Sequence, residues 1–170
     1  EIRAGVFKDW AEDVRVRGAL VGEVTAGMAG QHRGPAFLAG LLHGVGSLIV
    51  LQVASQGSPE LATVQTVIDR HHADFAVLVA ETWRLDPEIV PAVAYQFDPD
   101  AIHAAPRDLP RLLCLAMIAV HGELDRRAHR NSLFIQAMAR FTRSRVLASK
   151  AINLAATAVD RMESDGLLGS

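Results

Sequence analysis

The chain is poor in cysteine, in aromatic residues and, over one long stretch, in charge. A single cysteine, Cys114, among 170 residues excludes an intramolecular disulfide. It sits in LLCLAM, which reads as a buried inert thiol and suits a reducing cytoplasm. Phe, Trp and Tyr make up only 5% of the chain, and no alternating apolar-polar run of useful length occurs. Both absences argue against a sheet. No signal peptide opens the chain. It begins at Glu1 without a methionine, which reads as a piece of a longer protein. The formal net charge is −2, so no global attraction to nucleic acid or to an anionic membrane is expected.

The charge gap raises a second question. No Asp, Glu, Lys or Arg occurs between Arg33 and Glu60, and roughly 20 apolar residues suffice to cross a bilayer. His43, Ser47, Gln52, Gln56 and several glycines interrupt that run, without an aromatic belt. A buried central helix of a soluble domain is the expectation, with no membrane span.

What is present is half apolar, rich in alanine and leucine, and punctuated as helices. Residues 4–29 form the first, with Val14, Leu20, Val21 and Val24 as its stripe. Pro35 opens an apolar helix over 36–53. Ser58, Pro59 and Glu60 read as the start of the next. That helix carries Leu61, Val64 and Ile68, and continues through 72–84 with Phe75, Leu78, Val79 and Trp83 as a stripe. Trp83 reads as a packing anchor. Asp86, Pro87 and Glu88 repeat the start signal before Ile89, Val93 and Phe97 at helical spacing. Residues 98–107 read as a loop, and Asp108 caps a helix to about Leu124. One or two further helices, roughly 132–141 and 144–163, end before Gly166. The prediction is one compact all-α domain over 1–170.

Three segments carry a resemblance: AFLAGLLHGVGSLIVLQ (36–52), HADFAVLVAETWRLDPEIVPAVAYQFDP (72–99) and LLCLAMIAV (112–120). In this order and spacing they resemble the HDOD domain, the HD-related output domain of bacterial signalling proteins, over about residues 10–120. The resemblance implies a multi-helix HD-like bundle whose N-terminal lobe would precede Glu1, with 125–170 as additional C-terminal helices.

It also implies a test. HD phosphohydrolases hold a divalent metal with clustered His and Asp, which activates water and neutralises phosphate charge. Here the His-Asp pair stands as His43-Gly44. The first histidine position stands as Glu12, the closing aspartate as Met117, and the paired histidines as Tyr95 and Gln96. Only His43 and His72 keep histidine. His32, His103, His121 and His129 stand in loop-like or polar contexts and join no constellation. The expectation is therefore a non-catalytic signal-transduction module, with no metal and no cofactor. It would act in the bacterial cytoplasm through a signalling partner or a neighbouring domain, with a homodimer as a further option. Two alternatives stay open: a divergent metal-dependent phosphohydrolase using Glu12, His43 and His72, and a nucleotide or small-ligand sensor using the vestigial pocket. Seven basic residues without an acidic one (Arg126, Arg127, Arg130, Arg140, Arg143, Arg145 and Lys150) read as a solvated face or a docking surface. No helix-turn-helix signature accompanies them, and no nucleic acid is expected.

Overall fold

The computed structural model describes residues 2–57, 59–95, 98–105, 108–127 and 145–168. Among these the secondary structure is helical, with no strand. The helices are α1 (Ile2–Met28), α2 (Arg33–Leu42), α3 (Val45–Ser55), α4 (Leu61–Thr82), α5 (Ile89–Ala94), α6 (Pro99–Ala104), α7 (Leu109–Arg127) and α8 (Arg145–Ser164). A 3₁₀ turn, Gly30–His32, joins α1 to α2.

Helix α1 runs along α2, α3, α7 and α8, and α4 packs on α3 and α5. Every residue from Leu112 to Val120 on α7 is buried. A helix apolar on all sides belongs inside other helices, so LLCLAMIAV is the axis of the main core. Cys114 lies within it, and burial pushes its thiol up to about 12. A second, smaller apolar cluster gathers Phe7, Val50, Leu51, Ala54, Val64 and Ile68 from α1, α3 and α4.

Two close helix crossings depend on glycine. A Cβ on Gly40 would lie 2.3 Å from the Cα of Gly22, so α2 and α1 meet backbone to backbone. A Cβ on Gly46 would lie 1.8 Å from the carbonyl oxygen of His72, so α3 and α4 meet equally closely. The chain gives up about 1 kcal/mol of helix propensity at each such glycine and gains contacts that no larger residue permits.

The structure amends several sequence expectations. The helix expected over 36–53 is interrupted at His43-Gly44. The whole stretch from Gly30 to Ser55 is long and apolar enough by length and composition to cross a membrane. Here its two helices pack against α1, α4, α5 and α7 as core elements. Helix α4 begins at Leu61, with Glu60 extended at the N-cap position, and Ser58 lies outside the described residues. Its buried face is Val64, Ile68, Ala76 and Ala80. Leu78 and Trp83 are 57% and 63% exposed, so Trp83 is not a packing anchor. The α4 terminus explains this. Arg84 adopts φ 52°, Arg84 N–H donates to Glu81 O and Leu85 N–H to Ala80 O. This reversal turns the chain away at Trp83.

The loop expected over 98–107 contains α6, started by Asp98, whose Oδ1 accepts from the N–H groups of Asp100 and Ala101 (3.0 Å each). Helix α7 runs on to Arg127, past the expected end at Leu124, and α8 ends at Ser164, two residues before Gly166 (φ 70°). The helix expected at 132–141 lies outside the described residues.

Candidate functional site

The seam between the two apolar clusters holds a cavity of about 280 Å³. Helix α1 contributes Val14 and Arg17, and the α2–α3 junction contributes His43, Gly44 and Ser47. Ile68, Asp69 and His72 come from α4, and Met117 and His121 from α7.

Each histidine is oriented by a specific contact. His43 is 7% exposed, and its Nδ1–H donates to the carbonyl of Gly40 at 2.5 Å. His72 Nδ1–H donates to the carbonyl of Ile68 at 2.8 Å. A carbonyl oxygen only accepts, so Nδ1 carries the proton in both rings, and a neutral His43 ring keeps its lone pair on Nε2. His121 is arranged the other way. Arg17 Nη1 lies 3.4 Å from its Nδ1, and a guanidinium only donates, so Nδ1 is the acceptor.

Charge is sparse in this space. Burial pulls His43 down to about 4, with a backbone hydrogen bond opposing it and the neighbouring His72 adding to it. Burial, and then the positive charge of Arg17, pulls His121 to about 3. Both rings are therefore neutral near pH 7. Arg17 is the cation of the cavity, with its Nε held by Asp13 at 2.6 Å. Asp69 stands exposed at the mouth and accepts from Gln65 Nε2 at 2.6 Å.

The residues singled out in the sequence divide. His43, Gly44, His72 and Met117 come together around the cavity. Glu12 and Tyr95 do not line it: Glu12 faces solvent in an ion pair with Arg15, and Tyr95 is 38% exposed. Gln96 lies outside the described residues. His121, expected to join no constellation, is on the cavity wall, as are Arg17, Ser47 and Asp69, which sequence reasoning missed. Helical spacing could have found two of them: Ser47 is four residues after His43, and His121 four after Met117.

This set does not suit a divalent metal. Among the described residues no group of three or more His, Cys, Asp or Glu is placed to hold one. The carboxylate on the wall, Asp69, is exposed and accepts from Gln65, imidazoles bind a hard cation poorly without anionic ligands grouped with them, and Arg17 adds a fixed positive charge to the wall.

The basic run is also partly spent inside the molecule. Arg127 bridges Glu123, Asp160 and Glu163, tying α7 to α8, and Arg126 pairs with Glu123. Those two guanidinium groups are thus engaged rather than presented to a partner. Lys150 is exposed. Arg130, Arg140 and Arg143 lie outside the described residues, as does the side chain of Arg145.

A family model described as the HDOD domain matches residues 6–99, more than half of the chain. The match takes in the cavity residues of α1 through α4, and Tyr95, but stops before α7. No curated protein matches, and no solved structure does.

Proposed function

Because the chain belongs to the HDOD family, we propose that it is a regulatory, HD-related output module that acts by protein–protein or interdomain contact rather than by catalysis. The observation that carries this reading is the cavity itself. It gathers His43 and His72 at the histidine positions of the family's ancestral chemistry, but sets Gly44 and Met117 where carboxylates would be and adds Arg17. Water activation by a bound metal needs ligands that balance its charge and hold it, and this wall offers imidazoles, a thioether, a guanidinium and, as carboxylate, the exposed Asp69. A bacterial cytoplasmic setting, a signalling protein or neighbouring domain as the partner, and a homodimer as one assembly belong to the same reading.

The rival reading, a divergent phosphohydrolase built on Glu12, His43 and His72, has less support, because Glu12 points to solvent and pairs with Arg15. Elemental analysis of the purified protein, together with hydrolysis assays on mononucleotides and cyclic dinucleotides, tests the choice. The regulatory reading expects substoichiometric metal and no turnover. Stoichiometric metal together with a hydrolytic activity that His43→Ala abolishes would overturn it.

A further inference from the structure

Helices α1 and α4 both lean on α3, and between their outer faces runs an open groove of about 680 Å³. Its apolar residues are poorly covered. Val6 is 40% and Leu61 45% exposed, and the half-buried Trp10 joins them at the wall while packing on the smaller apolar cluster. Single exposed apolar side chains are ordinary, but three large ones gathered on one concavity mark a contact surface. Tryptophan is also the residue type on which such contacts concentrate their energy.

The charge around these anchors has one sign. Asp9 and Asp13, one turn apart on α1, line the groove with Gln65 of α4. Asp69, one turn past Gln65, extends the rim into the adjoining cavity, which shares Arg17 with the groove. Asp13 holds Arg17 at 2.6 Å, so that pair cancels. Among the described residues Asp9 makes no hydrogen bond or ion pair, and Asp69 is held only by the neutral Gln65 amide. Two carboxylates are thus left without a countercharge. Lys8 and Arg15, on the same stretch of α1, line a different hollow against α3.

From Val6 to Arg17 the groove follows α1 for three turns, about 16 Å. A helix laid between two others meets them through apolar residues one turn apart. The acidic rim selects a cationic helix and repels nucleic acid or an anionic lipid surface.

We propose that the α1–α4 groove docks a short basic amphipathic helix of a partner. Its apolar side chains pack on Val6, Trp10 and Leu61, and its lysines or arginines stand beside Asp9 and Asp69. This inference rests on the reading that the module works by contact, and gives that reading a surface and a partner chemistry. The two fail separately. Metal-dependent turnover would remove the contact reading, whereas failure of peptide binding removes the groove and leaves the module acting through another face.

The probe is a synthetic peptide of about eleven residues, three helical turns, with leucines at i, i+3, i+4 and i+7 and lysines elsewhere. One comparison peptide carries glutamate in place of lysine, and another alternates leucine and lysine so that no helical face forms. The reporter is the fluorescence of Trp10 in a Trp83→Phe background, because the chain has two tryptophans. The proposal expects a saturable change with the helical lysine peptide, several-fold weaker binding of the alternating peptide and none of the glutamate peptide. Asp9→Asn combined with Asp69→Asn should weaken binding about tenfold, and Leu61→Ser about fivefold. Glu81→Gln and Leu78→Ser, both exposed on α4 outside the groove, should leave it unchanged. No saturable change with the helical lysine peptide overturns the proposal. So does equal binding of the lysine and glutamate peptides, or a loss in the groove variants no larger than in the two controls.

Discussion

Replacing Gly46 by alanine is the sharpest test of how this bundle is held together. In most helices the change would stabilise by about 1 kcal/mol, because alanine is the better helix former. Here the added Cβ would lie 1.8 Å from the carbonyl oxygen of His72, 2.6 Å from its carbonyl carbon and 2.8 Å from its Cα. All three are backbone atoms in the middle of α4, so no rotamer change relieves the overlap. The helices must separate, and overpacking of this kind costs about 1–3 kcal/mol, sometimes more. Setting the upper end of that range against the propensity gain leaves a net loss of about 2 kcal/mol. For a chain of this size that lowers Tm by about 4–8 °C. Gly34→Ala is the matched control, since nothing lies within 4 Å of its added Cβ; it should be neutral or stabilising by up to about 1 kcal/mol. Urea denaturation followed by circular dichroism reads both variants. If Gly46→Ala proves as stable as the parent, α3 and α4 do not cross where the structure puts them, and the shared placement of His43 and His72 fails with it.

Four further outcomes follow from the same geometry. His43 titrates at about 4 in the folded protein against about 6.5 when unfolded, so the unfolded chain takes up a proton that the folded chain refuses. Stability is complete above about pH 6.5 and falls toward pH 4, by about 3 kcal/mol from His43 alone at about 1.4 kcal/mol per unit; His43→Gln should flatten that acid limb in pH-dependent denaturation, and an unchanged slope would contradict the burial of the ring. Arg127→Ala removes the bridge from α7 to Asp160 and Glu163 of α8 and should cost about 1 kcal/mol or less, and less still at high salt, because both carboxylates are largely open to solvent. Cys114 should resist alkylation in the native protein and react only on unfolding, as its buried, protonated thiol dictates; fast labelling under native conditions would place it elsewhere. Gly44→Asp restores the carboxylate of an HD pair, yet calorimetry should detect no tight manganese or zinc binding, and tight binding would show that Arg17 does not guard the cavity.

The helical course was legible wherever spacing and punctuation agreed. Leu20, Val21 and Val24, and then Ile89 and Val93, are buried as their periodicity requires. The LLCLAMIAV run is the core axis because nothing in it can face water. The failures share a cause. Periodicity alone does not say which side of an amphipathic helix is covered, and Leu78 and Trp83 were assigned to the buried side of α4 when Ala76 and Ala80 hold it. Small residues mark where helices approach closely, and large apolar ones do not always follow them. The interruption at His43-Gly44 has no sequence signal beyond the glycine: His43 keeps helical angles (φ −57°, ψ −32°), and the ladder breaks at Gly44, whose φ −93° and ψ −5° are those of a turn.

The site shows the limit of reading positions one at a time. A motif comparison names the places where ligands are missing, and it placed His43, Gly44, His72 and Met117 together as the structure does. It does not name what has replaced them. Gly44 looks like a simple deletion of a carboxylate until its surroundings are considered: a Cβ there would meet the Val14 Cγ1 at 2.8 Å. Val14 is branched at its Cβ and cannot swing aside freely. An aspartate at 44 would therefore collide with Val14 in the cavity, and it would also face Arg17 from the next turn of α1. The glycine, the valine and the guanidinium thus form one packed part of the wall. A carboxylate at 44 would have to displace Val14, so what position 44 can carry is a property of the whole cavity rather than of residue 44 alone.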